Sequence, residues 1–318
     1  MAKYRNALPQ LTDKLFLTDG GLETTLIFHD GLDLPYFASF DLLRTVEGTR
    51  RLKDYYELYA DMAVQSGLGF VLEGVTWRAN PDWTRKMNYT DRQLVDAINA
   101  SVDLMEQVRN RYETPASPMV ISGNIGPRGD GYNPGQQMSV AEAEAYHGIQ
   151  IGLFTQTAID MVSAFTMTNI PEATGIALAA KRAGLPVVLS FTLETDGRLP
   201  TSDTLSDAIQ AVDAATGAYP AYYMINCAHP DHFSAILEAG AAWMKRIRGV
   251  RANASRRSHE ELDNSSDLDA GDPVELGILY RKLRQDHRHL TILGGCCGTD
   301  HRHVNAIRLA CSPAVWGG

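Results

Sequence analysis

The stretch Leu290-Thr291-Ile292-Leu293-Gly294-Gly295-Cys296-Cys297-Gly298-Thr299 contains a short apolar run that ends in glycines and two adjacent cysteines, directly before a polar helix start. The run predicts a β-strand, and the glycines predict a turn at its carboxyl end. Adjacent side chains on a strand point to opposite faces, so the two thiols converge only if the chain bends there. Gly295 and Gly298 permit that bend. The sulfurs are then placed to bind a soft metal ion, and two buried packing thiols are the alternative.

The same order of apolar run, turn and helical pattern recurs along the whole chain. Thr90 to Gln93 and Ser139 to Glu142 fit capping boxes, which open helices. Seven further strands are predicted at Lys14–Thr18, Phe70–Leu72, Pro118–Ser122, Met161–Phe165, Pro186–Phe191, Tyr222–Ile225 and Met244–Val250. Helices are predicted at Thr49–Ser66, Thr90–Arg111, Ser139–Thr157, Pro171–Ala183, Ser202–Ala215, His229–Ala239, Asp272–Arg284 and Thr299–Ala310.

Eight strands alternating with eight helices, with no break in composition, predict an α/β fold: a single (β/α)8 TIM-type barrel of parallel strands over residues 1–318. The charged, Ser-rich segment Arg256–Asp272 is predicted to be a surface insertion after strand seven. A doubly wound open sheet is the rival fold. It usually carries a G-x-G-x-x-G loop after its first strand, and Asp19-Gly20-Gly21 lacks that form.

The composition and net charge of the chain disfavour some classes of binding partner. The chain has 318 residues, of which 44% are hydrophobic, and its formal charge of -9 disfavours binding to nucleic acid or to anionic membranes. Met1–Gln10 is short and polar, and no run approaches the roughly 18 apolar residues of a membrane span, so we expect a cytoplasmic protein. Four cysteines do not form a disulfide framework in a chain this long. Small molecules are the expected partners, and the oligomeric state is left open.

A third cysteine joins the pair if the fold is a barrel. Cys227 ends strand six, and the carboxyl ends of all eight strands meet at one rim of such a barrel. Three thiolates describe an open tetrahedral zinc site, with the fourth position left for water or substrate. His229, His301 and His303 are alternative fourth ligands, although the last two are predicted to face solvent. The remaining cysteine, Cys311, is predicted to pack inside the last helix.

The charge of such a centre favours one kind of chemistry. Zinc with three thiolates is net negative, so it generates hydroxide poorly and disfavours hydrolysis. It holds another thiol well, since coordination removes the proton and leaves the sulfur nucleophilic. The expected reaction is alkyl transfer to a substrate thiol, with no catalytic side chain required. A sulfonium or quaternary ammonium donor suits the anionic rim, where Trp77 offers a cation–π contact.

At this point the chain resembles the homocysteine S-methyltransferase family. The resemblance covers nearly the whole chain and lies in Asp19-Gly20-Gly21, Thr76-Trp77-x-Ala79-Asn80, Asn226-Cys227 and Gly294-Gly295-Cys296-Cys297-Gly298-Thr299. It implies zinc-dependent transfer of a methyl group to homocysteine, which gives methionine, with Cys227, Cys296 and Cys297 as the metal ligands. It also implies that Asp19 and the adjoining glycine turn bind the amino acid.

The chain departs from the family pattern at the fourth strand. Family members usually carry Phe-Glu-Thr there, and this chain reads Phe165-Thr166-Met167. Glu73 or Glu172 is a candidate replacement for the missing acid, and Gly74-Val75 also differs from the usual Thr-Asn pair. A related thiol or a selenol is therefore an alternative acceptor. The predicted substrate-binding residues are Asp19, Gly20, Gly21, Glu73, Thr76, Trp77, Thr166 and Asn226.

Two other kinds of function stay open. One is a non-catalytic barrel that binds zinc or thiols, which the missing acid permits. The other is a metal-free lyase or aldolase, but the only lysine near a strand end is Lys245, early in strand seven, where a Schiff base is disfavoured. The leading prediction is a methyltransferase that acts on a small-molecule thiol acceptor and a methyl donor.

Overall fold

The computed structural model describes residues 1–237, 240–265 and 267–312. Its strands are β1 Phe16–Leu17, β2 Gly69–Glu73, β3 Met119–Ile125, β4 Met161–Met167, β5 Val187–Thr192, β6 Tyr222–Asn226, β7 Ile247–Ala252 and β8 Ile292–Gly295. Each strand pairs in parallel with the next, and β8 pairs with β1, so the sheet closes into a barrel. The closed barrel confirms the (β/α)8 prediction and excludes the open doubly wound sheet.

Helices surround the barrel. They are α1 Leu22–Thr24, α2 Val46–Gln65, α3 Pro81–Lys86, α4 Asp91–Tyr112, α5 Val140–Phe154, α6 Ile170–Ala183, α7 Leu205–Thr216, α8 Pro230–Phe233, α9 His259–Asp263, α10 Pro273–Asp286 and α11 His301–Cys311. Both predicted capping boxes are present, at Thr90 and at Ser139. None of the helices in the described ranges is long and apolar enough to cross a membrane.

The barrel interior changes character along its axis. Near the amino ends of the strands, Phe16, Val71 and Met161 form part of an apolar cluster. Near the carboxyl ends, buried polar side chains replace it, among them those of Glu73 and Arg251. A second, larger apolar layer lies between the strands and the helices. The apolar inner cluster fills the half of the barrel near the amino ends of the strands, and the polar side chains of Glu73 and Arg251 lie toward the carboxyl-terminal rim.

The amino-terminal arm covers the opposite end of the barrel. The backbone amides of Lys3 and Tyr4 donate to Oδ1 of Asp160, at 2.7 and 2.6 Å. The other carboxylate oxygen accepts from Arg109 Nη1 at 2.8 Å and from the backbone amide of Ile121 at 2.9 Å. Asp160 is fully buried, so a charged pair in the interior fastens the arm to the barrel.

Several predicted boundaries are wrong. The helix expected over His229–Ala239 ends at Phe233 and continues as a 3-10 turn, while residues 238–239 lie outside the described residues. The insertion after β7 is not a plain surface loop, because it contains α9 and the buried His259. The last helix is capped by Asp300 rather than Thr299. Lys245 lies before β7, in a 3-10 turn, and not within the strand.

Candidate metal and substrate site

Three cysteine sulfurs meet at the carboxyl-terminal rim of the barrel. Cys227 directly follows β6, and Cys296 and Cys297 directly follow β8. Their Sγ atoms all lie within 4.8 Å of one another, and those of Cys227 and Cys297 are 4.0 Å apart. Thiolates that share one tetrahedral zinc ion lie about 3.8 Å apart, given Zn–S bonds of about 2.3 Å. The spacing and the soft donor set therefore fit a metal ion.

Backbone turns bring the three sulfurs together. Cys227 has a φ of 53°, and Gly298 has a φ of 78°, which is the left-handed region that favours glycine. The backbone amide of Cys296 donates to the carbonyl oxygen of Ala252 at 2.8 Å. The chain thus bends directly after β8, and the adjacent cysteines converge as the glycines around them predict.

The side-chain amide of Asn226 points at the sulfurs. Its Nδ2 donates to Cys227 Sγ at 3.2 Å and lies 3.9 Å from Cys296 Sγ. Its Oδ1 accepts from the backbone amide of Thr166 at 3.0 Å and from Ser190 Oγ at 2.7 Å. These bonds fix the orientation of the amide, because only one arrangement satisfies both ends. Asn226 therefore contacts the clustered sulfurs, and the backbone amide of Thr166 supports it.

The three thiols differ in how readily each one loses its proton. Hydrogen bonds from Cys227 and Cys297 hold the pKa of Cys296 well below its ordinary value. The neighbouring Cys296 thiol raises the pKa of Cys227, and Cys227 and Cys296 together raise the pKa of Cys297. One thiolate is thus favoured, and a second negative charge beside it is opposed unless a cation joins the cluster.

Asp19 follows β1, and both oxygens of its carboxylate already accept hydrogen bonds. Its Oδ1 accepts from Arg251 Nη1 at 2.7 Å, and its Oδ2 accepts from Tyr55 Oη at 3.0 Å. Arg251 also donates from Nε to the carbonyl oxygen of Gly295 and from Nη2 to that of Gly20, each at 3.1 Å. This buried ion pair ties together the carboxyl ends of β7 and β8 and the turn that follows β1.

A family model described as Homocysteine S-methyltransferase matches residues 16–311 of this chain. The chain belongs to the homocysteine S-methyltransferase family. Among the solved structures, the oxidized form of the homocysteine methyltransferase MmuM from Escherichia coli is similar, with 21% identity, coverage of 96% of this chain and 99% of that one, and a TM-score of 0.75. The metallated form of MmuM gives 20% identity, coverage of 96% and 98%, and a TM-score of 0.73. No curated protein sequence gave a significant match.

In this member of the homocysteine S-methyltransferase family, two aromatic residues that the sequence did not predict cover the sulfurs. Tyr132 Oη lies 3.2 Å from Cys297 Sγ. The Tyr132 ring stacks on His259, with centroids 4.0 Å apart and planes at 24°. His259 Nε2 lies 2.5 Å from the carbonyl oxygen of Cys227. Tyr132 had no motif to mark it, but Ser258 and Glu261 form a capping box at α9 that the sequence does contain.

The two candidate replacement acids occupy different surroundings. Glu73 ends β2 with only 3% of its surface exposed, and its burial raises its pKa to about 7. Its Oε1 lies 3.4 Å from Ser163 Oγ, and its Oε2 has no partner among the described residues. Glu172 accepts from the backbone amide of Arg128 at 2.7 Å and lies 2.9 Å from His147 Nε2. Burial opposes its ionisation, but these bonds leave its pKa lowered.

The other predicted substrate residues shape the rim. Thr76 Oγ1 donates to the carbonyl oxygen of Asn124 at 2.8 Å, which holds the end of β2 against β3. Trp77 Nε1 donates to the carbonyl oxygen of Phe165 at 3.3 Å. A Cβ on Gly21 would lie 2.6 Å from the carbonyl oxygen of Cys296, so only glycine allows this approach. Gly20 accepts from Arg251 and Tyr55 through its carbonyl oxygen.

The histidines considered as fourth ligands lie elsewhere within the described part of the chain. His229 caps α8, where its Nδ1 accepts from the backbone amide of Asp231 at 3.2 Å. His301 is exposed, as predicted. The prediction that His303 faces solvent is wrong, because it is fully buried and bonds to Asp300 and to the carbonyl oxygen of Ala270. Cys311 is buried in the outer core, as predicted.

Proposed function

We propose that this chain is a zinc-dependent thiol methyltransferase, which moves a methyl group from a sulfonium or quaternary ammonium donor to homocysteine or a related thiol. The observation that carries the proposal is the convergence of three sulfurs at the barrel rim, 4.0 Å apart for Cys227 and Cys297. MmuM is described in a metallated form, and this supports proposing a metal here. Zinc is the choice because three thiolates are soft donors that suit a d¹⁰ ion.

The residues around the cluster support a thiol as the acceptor. When bound, zinc supplies a Lewis acid that keeps an added thiol deprotonated at neutral pH. Asn226 donates to Cys227 Sγ and limits the build-up of negative charge on the sulfurs. Trp77 presents a half-buried indole near the rim, which suits a cationic donor. The reduced thiols that this chemistry needs favour a reducing compartment, so we expect a cytoplasmic location.

Metal analysis of a serine variant tests the site. Cys296→Ser removes one of three soft donors, so zinc content is expected to fall from about one ion per chain to well below half, because thiolates bind zinc far better than hydroxyls. Cys311→Ser is the matched control: its sulfur is buried in the outer core, and zinc content should stay unchanged. Elemental analysis of the purified proteins measures both. Equal zinc in wild type and Cys296→Ser would contradict the proposed ligand set.

The reaction itself is tested by product formation. Zinc-loaded protein is incubated with homocysteine and, in separate reactions, with S-adenosylmethionine, S-methylmethionine or betaine. Methionine should form with at least one donor and be lost in Cys296→Ser. A zinc-loaded protein that binds thiols but methylates none with any of these donors would favour the non-catalytic, thiol-binding alternative.

A further inference from the structure

The cysteine sulfurs are themselves potential targets of the methyl donor. Sulfurs that hold a zinc ion are thiolates, and the thiolate is the nucleophilic form of cysteine. The Sγ atoms of Cys227, Cys296 and Cys297 lie within 4.8 Å of one another, so an electrophile delivered to a thiol beside this cluster also meets the cysteines. Methylation would turn a cysteine into a neutral thioether and remove a thiolate ligand. The proposed reaction therefore needs cysteines that react more slowly than the acceptor thiol.

A hydrogen bond donated to a thiolate slows its attack on carbon. The charged sulfur is a strong acceptor, so a bond donated to it is charge-assisted. The sulfur loses its negative charge as the new bond to carbon forms, and the hydrogen bond weakens at the same time. The bond therefore stabilises the thiolate more than the transition state, and the barrier to methylation of that sulfur rises.

Tyr132 supplies such a bond to Cys297. Its Oη lies 3.2 Å from Cys297 Sγ. A thiolate has no proton to donate, so the phenol is the donor whenever the sulfur is ionised. Asn226 Nδ2 has the same relation to Cys227 Sγ, at 3.2 Å, but lies 3.9 Å from Cys296 Sγ. Cys227 and Cys297 thus each have a close donor, and these donors come from different elements.

Both the backbone and the ring of Tyr132 are held in place. The carboxylate of Asp130 accepts from the backbone amides of Tyr132 and Asn133, at 2.8 and 2.9 Å. The ring stacks on His259, whose Nε2 lies 2.5 Å from the carbonyl oxygen of Cys227. Because a carbonyl oxygen only accepts, Nε2 carries a proton there. His259 therefore links the Tyr132 ring to the backbone of one of the clustered cysteines, which keeps the phenol aligned with the sulfurs.

We propose that Tyr132 protects Cys297 from methylation by donating a hydrogen bond to its sulfur, and so directs the methyl group to the acceptor thiol. This inference rests on the proposed function and adds a residue that controls which sulfur reacts. Tyr132 acts through Cys297 and not on the substrate, so it is a positioning residue. The hydroxyl carries the effect, and the ring serves to aim it.

Methylation of the zinc-loaded protein by iodomethane, with no acceptor thiol present, tests this role. The attacking Sγ forms a bond to the methyl carbon, the C–I bond breaks, and iodide leaves with the bonding pair. Tandem mass spectrometry of peptides measures the rate at each cysteine separately. In Tyr132→Phe, methylation of Cys297 should be about 3- to 30-fold faster than in wild type, because one charge-assisted hydrogen bond is lost. The rate at Cys296 should not change, which makes it the internal reference.

A matched tyrosine variant separates the hydroxyl of Tyr132 from general effects of the substitution. Tyr132→Phe keeps the ring, so the steric cover over the sulfurs is preserved. Tyr219→Phe is the control, because its hydroxyl donates to the carbonyl oxygen of Leu185 at 3.0 Å, ahead of β5 and so at the opposite end of the barrel. All three cysteines should react at the wild-type rate in this control.

A second variant tests the same bond without changing Tyr132. His259→Gln removes the stacked ring but keeps a side-chain donor for the carbonyl oxygen of Cys227. The phenol is then aimed less well, so the rate at Cys297 should rise by less than in Tyr132→Phe. Zinc content is measured for every variant, and His259→Gln decides the matter if Tyr132→Phe does not hold zinc.

The outcomes are distinct. If zinc-loaded Tyr132→Phe is methylated at Cys297 at the wild-type rate, the protective role is overturned. It is also overturned if the rates at all three cysteines rise together, because access of the reagent and not the hydrogen bond has then changed. If wild type holds no zinc, the proposed function fails, and this inference fails with it. If the Cys297 rate rises as expected but no donor yields methionine, the protection stands and the proposed reaction fails.

Discussion

Asn226 places an amide donor 3.2 Å from Cys227 Sγ, so we expect it to influence the negative charge on the sulfurs. Asn226→Asp keeps an acceptor for Thr166 and Ser190 but replaces the Nδ2 donor 3.2 Å from Cys227 Sγ with a negative oxygen. The thiols then ionise less readily, so zinc affinity at neutral pH should fall about 10- to 100-fold, as for other residues that orient metal ligands. Competition with a chelator measures this, and the loss should shrink as the pH rises. Ser190→Ala, which removes one bond to Oδ1, is the control; equal affinities for Asn226→Asp and wild type would contradict the role.

At the same scale, the sequence predicted some site residues and missed others for a physical reason. The convergence of Cys227 with Cys296 and Cys297 follows from the barrel topology, because strand ends meet at one rim whatever their separation in sequence. The pairing of Asp19 with Arg251 joins residues 232 positions apart, and the predicted strand seven stopped one residue before Arg251. No local pattern reports such a contact, so the engagement of Asp19 could not be predicted.

At the scale of elements, the helices with strong local signals were predicted closely and the short ones were not. The capping boxes at Thr90 and Ser139 fixed the starts of α4 and α5. Ser258 and Glu261 form the same kind of box, but the five residues of α9 are too few to show an apolar stripe. The role of α9 depends on a tertiary contact, since it carries His259 against Tyr132.

The loop of residues 126–139 is held over the sulfurs by contacts from three other elements. Glu172 accepts from the backbone amide of Arg128, Arg78 donates to the carbonyl oxygen of Gly129, and His259 stacks on Tyr132. His259→Ala removes the stacking, which is worth about 0.5–1.5 kcal/mol, so amide hydrogen exchange in the loop should accelerate several-fold while the barrel strands stay protected. Hydrogen-exchange mass spectrometry measures this. His232→Ala, which loses a bond to the carbonyl oxygen of Arg256, should leave the loop unchanged; loop exchange at the wild-type rate in His259→Ala would show that the other contacts suffice.

In the whole molecule, the residues that hold the barrel shut lie at one end and those of the candidate site lie at the other. The apolar inner cluster and the amino-terminal arm occupy one end, and the sulfurs, Asn226 and Tyr132 occupy the other. The fold class was predictable because strand and helix periods alternate in every segment and the closed barrel satisfies all of them. The arm's attachment was not, since Met1–Gln10 is polar and shows no regular pattern. Its order depends on Asp160, a buried carboxylate that bonds to groups from three separate segments.

Because the two ends are separate, we expect a substitution near the amino ends of the strands to lower the stability of the fold without changing the candidate site. In Asp160→Asn, an amide replaces the carboxylate that faces Arg109 Nη1 at 2.8 Å, so a buried guanidinium loses its counter-charge. Breaking such a pair costs about 3–5 kcal/mol, and in a chain of 318 residues thermal unfolding should shift downward by roughly 4–8 °C. Zinc content and thiol affinity, measured well below the unfolding transition, should match wild type. Glu106→Gln, which removes the partly exposed acid 3.7 Å from Arg109 Nη2, is the control and should shift the transition little. A loss of zinc in folded Asp160→Asn would show that the two ends of the barrel are coupled.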